Sequence, residues 1–206
     1  MKHNKSLDAY LHISPYIDYL DPLIQSLIKS LSEEEASETT RIKKAFEYVR
    51  DNIAHSYDIN SREVTRKASE VLEKKHGICY AKSHLLAAIL RGMGIPAGIS
   101  YQRITLFDKP EDGFCIHALN SVYLREFDKW IRLDARGNKL GIDAQFSVDE
   151  ERLAFPIRSE YEEKDYSVNY SEPHPDIIKV LESNTDCKEM YQNGLPEQLM
   201  EGNEIC

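Results

Sequence analysis

The stretch from His76 to Pro96 limits the fold more than any other part of this chain. It reads His-Gly-Ile-Cys-Tyr-Ala-Lys-Ser-His-Leu-Leu-Ala-Ala-Ile-Leu-Arg-Gly-Met-Gly-Ile-Pro. Ala81, Leu85, Ala88, Ile89 and Met93 recur at helical spacing, and Leu86 and Leu90 widen the stripe. An apolar face that broad cannot face water, and Ala81, Ala87 and Ala88 let neighbours approach closely, so a helix over 79–93 is expected at the centre of the fold. Gly92-Met93-Gly94 ends it and Pro96 prevents its continuation.

Helical signals dominate before this stretch. Asp21 followed by Pro22 reads as an N-cap with proline at the first helical position, and Leu23, Ile24, Leu27, Ile28 and Leu31 predict a helix over about 22–30. The charged segment 32–38 is expected to be a solvated connection. A second helix follows, capped by Thr39 or Thr40, with Ile42, Ala45, Phe46, Val49 and Ile53 on one face; it ends near residue 54. Residues 55–58 read as irregular. Ala68, Val71 and Leu72 suggest a short helix that Gly77 stops as a left-handed cap.

After Pro96 the period changes from helix to strand. Strands are expected over 97–104, 114–124 and 129–133, with turn residues at 107–113. The connection 125–128 is short enough for a hairpin, which makes the last two strands antiparallel neighbours. Beyond Gly141 the signal weakens: one or two strands within 146–170, a short helix after Pro173-His174-Pro175-Asp176, and a polar tail over 184–206. Helices first and strands after indicate an α+β fold. The organisation expected is a helical extension over 1–38, a core over 39–140, and a segment over 141–206 that either completes the domain or hangs as a loose tail.

Composition bounds the partners. The 206 residues, 41 % hydrophobic, are enough for one good core. A formal net charge of -9 argues against nucleic acid as the main partner, since phosphate binding needs a basic surface. No apolar run approaches membrane-spanning length. Asp8, His12 and Asp18 interrupt any export-signal core, so a cytosolic setting is expected, with Cys79, Cys115, Cys187 and Cys206 as reduced thiols.

Cys79 opens the central helix. A cysteine there sits at the positive end of the helix dipole, which favours thiolate, and its free backbone N–H can help hold an oxyanion. Gly77 leaves room for a substrate to approach. On the strand 114–124, a period of two puts Cys115, His117, Leu119 and Ser121 on one face, so His117 interrupts an otherwise apolar or small pattern. A hairpin centred near Phe127 pairs residues whose numbers sum to about 254, which brings Asp134 close to His117. A cysteine nucleophile, a histidine base and an aspartate that fixes the histidine tautomer make a triad.

Four ordered blocks carry a resemblance: Ala68-Ser69-Glu70-Val71-Leu72 with Gly77-Ile78-Cys79, then Leu90-Arg91-Gly92-Met93-Gly94-Ile95-Pro96-Ala97, then His117-Ala118-Leu119-Asn120-Ser121-Val122-Tyr123-Leu124, then Trp130-Ile131-Arg132-Leu133-Asp134. Over roughly 40–138 the chain resembles the transglutaminase-like superfamily core. The resemblance implies a papain-related α+β fold, with the Cys-bearing helix packed on an antiparallel sheet. It also implies acyl transfer from a peptide, protein or small amide through a thioester, without a cofactor. Carried over by position, Cys79 is the nucleophile, His117 the general base and acid, and Asp134 the orienter. Tyr57 lies where members often carry an aromatic residue that helps the oxyanion site. Tyr80 departs from the acidic or polar residue usual after the cysteine. Ala135-Arg136-Gly137-Asn138 departs from the family's usual ending, and Arg136 and Asn138 are candidates for a substrate carboxylate or amide. The superfamily holds transglutaminases, proteases, peptide N-glycanases and inactive scaffolds, so the fold alone does not choose the reaction. Hydrolysis is favoured over cross-linking, because nothing in the sequence marks a site for a second amine.

Other readings stay open at this level. The scaffold can be a non-catalytic binding module. Cys115 can serve as a resolving thiol for Cys79. His76, Cys79, Cys115 and His117 have the right types for zinc, though Cys-x-His is an unusual ligand pair. His84 reads as structural or surface, His76 as a loop histidine, and Tyr161, Tyr166 and Tyr170 as packing or cleft residues.

Overall fold

The computed structural model describes residues 6–32 and 36–200. The acidic run 33–35 and Cys206 lie outside the described residues. Helix α1 spans Pro22–Leu31 and begins as its sequence dictates: the Asp21 carboxylate accepts from the Leu23 N–H at 2.8 Å, and Pro22 occupies the first position, where no N–H is needed. Helix α2 covers Glu38–Asn52 with Ile42, Ala45, Phe46 and Val49 buried. Its cap is Ser37, whose hydroxyl accepts from the Thr40 N–H at 3.1 Å; Thr39 and Thr40 already lie in the first turn.

Strand β1 (Ala54–His55) pairs in parallel with β2 (His76–Gly77), on either side of helix α3 (Ala68–Lys74). The left-handed residue that ends α3 is Lys75, not Gly77. Gly77 is needed for closeness instead. A Cβ there would lie 3.1 Å from Thr65 Oγ1 and 3.3 Å from both the Ala81 and Val71 side chains, so any larger residue would have to push these neighbours aside for β2 to run into the next helix. That helix, α4 (Cys79–Gly92), is buried from Cys79 through Arg91. Gly94, in the left-handed region, turns the chain out of it.

The sheet comprises β3 (Ala97–Thr105), β4 (Phe114–Leu124), β5 (Lys129–Leu133) and β6 (Lys164–Asp165), in the order β5-β4-β3-β6 with every pairing antiparallel. The expected strand limits hold at 114–124 and 129–133, because alternating apolar residues are bounded there by turns with Gly113 and Asp128 in the left-handed region. Helix α4 packs against β3 and β4 on one side and against α1, α2 and α3 on the other. The result is the expected α+β arrangement, a central helix on an antiparallel sheet.

The C-terminal third differs from expectation. The strands expected over 146–170 reduce to β6 and an isolated bridge between Ile99 and Tyr170. Two backbone donors ahead of β6 go to carboxylates instead of a strand, Ala154 N–H to Asp134 and Arg158 N–H to Glu163, whereas the Tyr166 and Tyr170 N–H groups reach β3 carbonyls. Helix α5 (Pro175–Ser183) forms as expected and buries Ile177 and Leu181. The segment after it is no loose tail as far as residue 200. Cys187, Met190 and Leu199 join the main hydrophobic cluster, and Pro196 accepts the Ile116 N–H at 3.0 Å, covering the part of β4 that the shorter β5 leaves unpaired. Among the described residues no helix is long and apolar enough to cross a membrane.

Gly98 in β3 marks the tightest junction between sheet and C-terminal segment: a Cβ would fall 2.0 Å from Asn169 Oδ1 and 2.9 Å from the Tyr170 carbonyl. Gly98→Ala is expected to destabilise the fold by ~1–3 kcal/mol, the usual cost of overpacking. Urea unfolding checks this, with a lowered midpoint at an unchanged slope.

Candidate active site

Three elements converge on one point. Cys79 is the first residue of α4, His117 lies in mid-β4, and Asp134 directly follows β5. The observed register pairs Asn120 with Leu133, a number sum of 253 rather than 254. One unit matters: it sets Asp134 level with Leu119, on the same face as His117 and one pleat along, whereas 254 would turn it to the opposite face. His117 Nε2 and Asp134 Oδ2 are 2.7 Å apart, and both residues are buried. Nδ1 is the ring nitrogen that Asp134 leaves free, and Cys79 lines the same cleft as His117 and interacts with it electrostatically.

Asp134 is itself held. Its Oδ1 accepts from the Arg136 N–H and its Oδ2 from the Ala154 N–H, each at 3.1 Å. The edge of Phe155 stands against the His117 ring, with centroids 4.9 Å apart and planes at 85°. These contacts fix the imidazole in one orientation and limit water on that side.

Charge follows from the same contacts. Burial opposes an imidazolium at His117, but the interactions with Asp134 and with Cys79 outweigh it and push its pKa up to about 10. Burial alone would raise Asp134; the imidazolium and the two backbone N–H groups hold its carboxyl below the ordinary range. Cys115, in the same cleft, is pushed up to about 12 by burial and by the neighbouring Cys79 and Glu163 charges, so it stays a thiol.

The cleft beside Cys79 has a volume of about 580 Å³. His55, Tyr57, Phe107, Arg136, Phe155 and Tyr191 are among its walls. Tyr57 is partly exposed there, its ring 4.7 Å from that of Tyr191 and 5.6 Å from that of Phe107. Tyr80 is buried, and its hydroxyl donates to the Ile116 carbonyl at 2.8 Å, which ties the first turn of α4 to β4 next to His117. Asn138 uses its whole amide on Ala144, donating to the carbonyl at 3.2 Å and accepting from the N–H at 2.8 Å, and is not part of the cleft wall. Arg136 faces the cleft in an ion pair with Asp58, which also pairs with Lys139 at 2.7 Å.

His76 is drawn away from the cysteines by Ser56 Oγ at 3.0 Å from Nδ1 and Ser61 Oγ at 3.4 Å from Nε2. His84 is buried, with Nδ1 2.8 Å from the Arg66 carbonyl. Among the described residues no three His, Cys, Asp or Glu side chains are grouped to hold a metal.

Three residues at the site escaped the sequence reading. Lys82 lies one turn after Cys79, is fully buried, and donates to the carbonyls of Ile53 and Arg136, the latter at 3.0 Å. Burial and the Arg136 charge bring its pKa down to about 7, against the pull of Asp134. Its signal was present, as a charge within the apolar pattern one turn after Cys79. His55 and Tyr191 left none, because one sits in a two-residue strand and the other in a polar segment far along the chain.

The model of the transglutaminase-like superfamily matches residues 25–135, more than half of the chain. The protein belongs to the transglutaminase-like superfamily. Among solved structures it is similar to a candidate cysteine protease from Cytophaga hutchinsonii, at 20% identity and a TM-score of 0.52, over 63% of this chain and 42% of that one. A TGase aligns at 23% identity and a TM-score of 0.46, over 63% of this chain and 34% of that one. The periplasmic domain of TgpA from Pseudomonas aeruginosa aligns at 15% identity and a TM-score of 0.47, over 64% and 48%. The chain thus spans less than half the length of each of these proteins. No curated protein matches it.

For this member of the superfamily, Asp134→Asn is expected to lower the His117 pKa from about 10, since burial then acts with less opposing charge. NMR titration of the imidazole reads the shift. In the native chain the raised pKa also predicts a pH effect. The His117 contribution to stability is full below the ordinary histidine value of about 6.5 and is lost as pH rises through about 10.

Proposed function

We propose that this protein is a thiol acyl-transfer enzyme that takes the acyl group of a peptide or other amide onto Cys79 and passes it to water. The reading rests on one observation: His117 is hydrogen-bonded to buried Asp134 at 2.7 Å and stands with Cys79 in the wall of one cleft of about 580 Å³. In this scheme the Cys79 thiolate attacks the carbonyl carbon while Asp134 keeps His117 as an imidazolium. The tetrahedral intermediate collapses as His117 gives its proton to the departing amine, leaving a thioester. Neutral His117 then takes a proton from water as the water oxygen attacks the thioester, and the intermediate collapses to release the acid and the Cys79 thiolate beside the restored His117 imidazolium.

Hydrolysis is favoured over transfer to a second amine. The carboxylate in the cleft wall, Glu163, is already held by Arg158 and Thr105, and Asp58 beside it by Arg136 and Lys139. Neither is available to receive an incoming ammonium. The three described cysteines are all free, which fits a reducing, cytosolic setting.

Limited iodoacetamide is expected to alkylate Cys79 ahead of Cys115 and Cys187, whose thiols burial pushes up to about 12 and about 11. Peptide mapping by mass spectrometry reads the order. Loss of the acid–base group in His117→Ala should slow turnover of a peptide-library substrate by about 10²–10⁴-fold, and Cys79→Ala should abolish it. A Cys79 no more reactive than the other two thiols, with library cleavage absent or unaffected by Cys79→Ala, would leave the chain a binding module on the same scaffold.

A further inference from the structure

We propose that Tyr191, from the C-terminal segment beyond the region matched to the superfamily, is a further catalytic residue whose hydroxyl donates to the oxyanion formed at Cys79. The inference rests on the acyl-transfer reading above. It starts from His55, which lines the cleft, is only 6% exposed, and has its Nδ1 buried with no hydrogen-bond partner among the described residues. Its other nitrogen, Nε2, lies 3.3 Å from the Tyr191 hydroxyl, and the two rings meet edge to face with centroids 6.1 Å apart.

The tautomer decides what the hydroxyl can do. The cations Arg136 and Lys82 and the His117 imidazolium surround His55, with Asp58 as the opposing anion, and together with burial they keep it neutral. A bare lone pair on Nδ1 suits that positive surrounding, whereas an N–H there would be a buried donor without an acceptor, which costs about 1–3 kcal/mol. Nδ1 is therefore unprotonated, Nε2 carries the proton, and the Tyr191 oxygen accepts it. The phenol O–H is then free to donate elsewhere. Tyr191 lines the cleft that holds Cys79, near enough that negative charge on Cys79 adds to burial in raising its pKa. The ring of Tyr57 packs against it, tilted by 38° with centroids 4.7 Å apart, and limits its swing.

The chemistry is balanced without a change in Tyr191. As the Cys79 Sγ–carbon bond forms, the carbonyl π pair moves to oxygen, which accepts hydrogen bonds from the Tyr191 O–H and the Cys79 backbone N–H. Both protons stay where they are, and the pair returns to carbon when the amine leaves. A donor of this kind contributes about 10²–10³-fold.

Two reagents separate this role from a structural one. p-Nitrophenyl acetate acetylates a nucleophilic cysteine through an oxyanion, while iodoacetamide alkylates the same sulfur by direct displacement with none. Tyr191→Phe, which keeps the ring and its contact with Tyr57, is expected to slow acetylation of Cys79 by about 10²-fold and to leave its alkylation within about three-fold. Equal acetylation in variant and wild type overturns the assignment to Tyr191 while leaving the nucleophile intact. Equal losses with both reagents mean a structural role and also overturn it. A wild-type Cys79 that neither reagent labels removes the acyl-transfer reading and this inference together.

Discussion

Burial of a largely apolar helix together with the polar side chains it carries, from Cys79 to Arg91, is the constraint from which the remainder of this structure follows. Every residue of α4 from Cys79 to Arg91 is buried, and five of them carry polar or charged side-chain groups: Tyr80, Lys82, Ser83, His84 and Arg91. Buried polar groups need partners. Tyr80 finds the Ile116 carbonyl, Lys82 those of Ile53 and Arg136, His84 that of Arg66, and Arg91 those of Ala97, His12 and Ser171. The Ser83 carbonyl accepts from Asn120 on β4 at 2.9 Å. Each bond ties the helix to a different part of the chain, so one buried element sets the position of the N-terminal residues, the sheet and the C-terminal segment. Breaking any one strands a buried group, which makes alternative packings costly.

The same frame builds the electrostatics of the site. Lys82 links the end of α2 to the loop after Asp134, while Arg136 in that loop donates its backbone N–H to Asp134 and its guanidinium to Asp58. Asp134 therefore faces a fixed set of donors and keeps its charge in a dry place. That charge holds His117 as an imidazolium against burial. The chain of causes runs from one buried lysine, through a loop, to the protonation state of a histidine on another element.

The C-terminal segment does more than cover the sheet edge. It supplies the Ala154 N–H to Asp134, the Phe155 edge to His117 and the Tyr191 ring to the cleft wall, all from residues beyond the stretch matched to the superfamily. Cys79, His117 and Asp134 lie within the matched stretch, and residues after it enclose them.

Much of this was legible before folding. The apolar stripe of α4, the change of period after Pro96 and the hairpin at 125–128 are local signals, set by side-chain spacing and turn chemistry, and they specified the α+β order. Cys79 stood out because it opens the central helix, and His117 because it interrupts an otherwise apolar or small strand face. Whether Asp134 shares a face with His117 depended on a single residue of register, which strand pairing decides. Gly77 was legible as a necessary glycine but not for its reason, since the close approach of Thr65, Val71 and Ala81 is tertiary. His55 and Tyr191 lie 136 residues apart in segments without period, and their contact arises only when the chain end packs on the core. The sequence by itself determined the elements and the reacting residue types, because those follow from local spacing. Tertiary structure alone decided which polar groups meet in the cleft and what charge each carries, because burial and long-range neighbours set both.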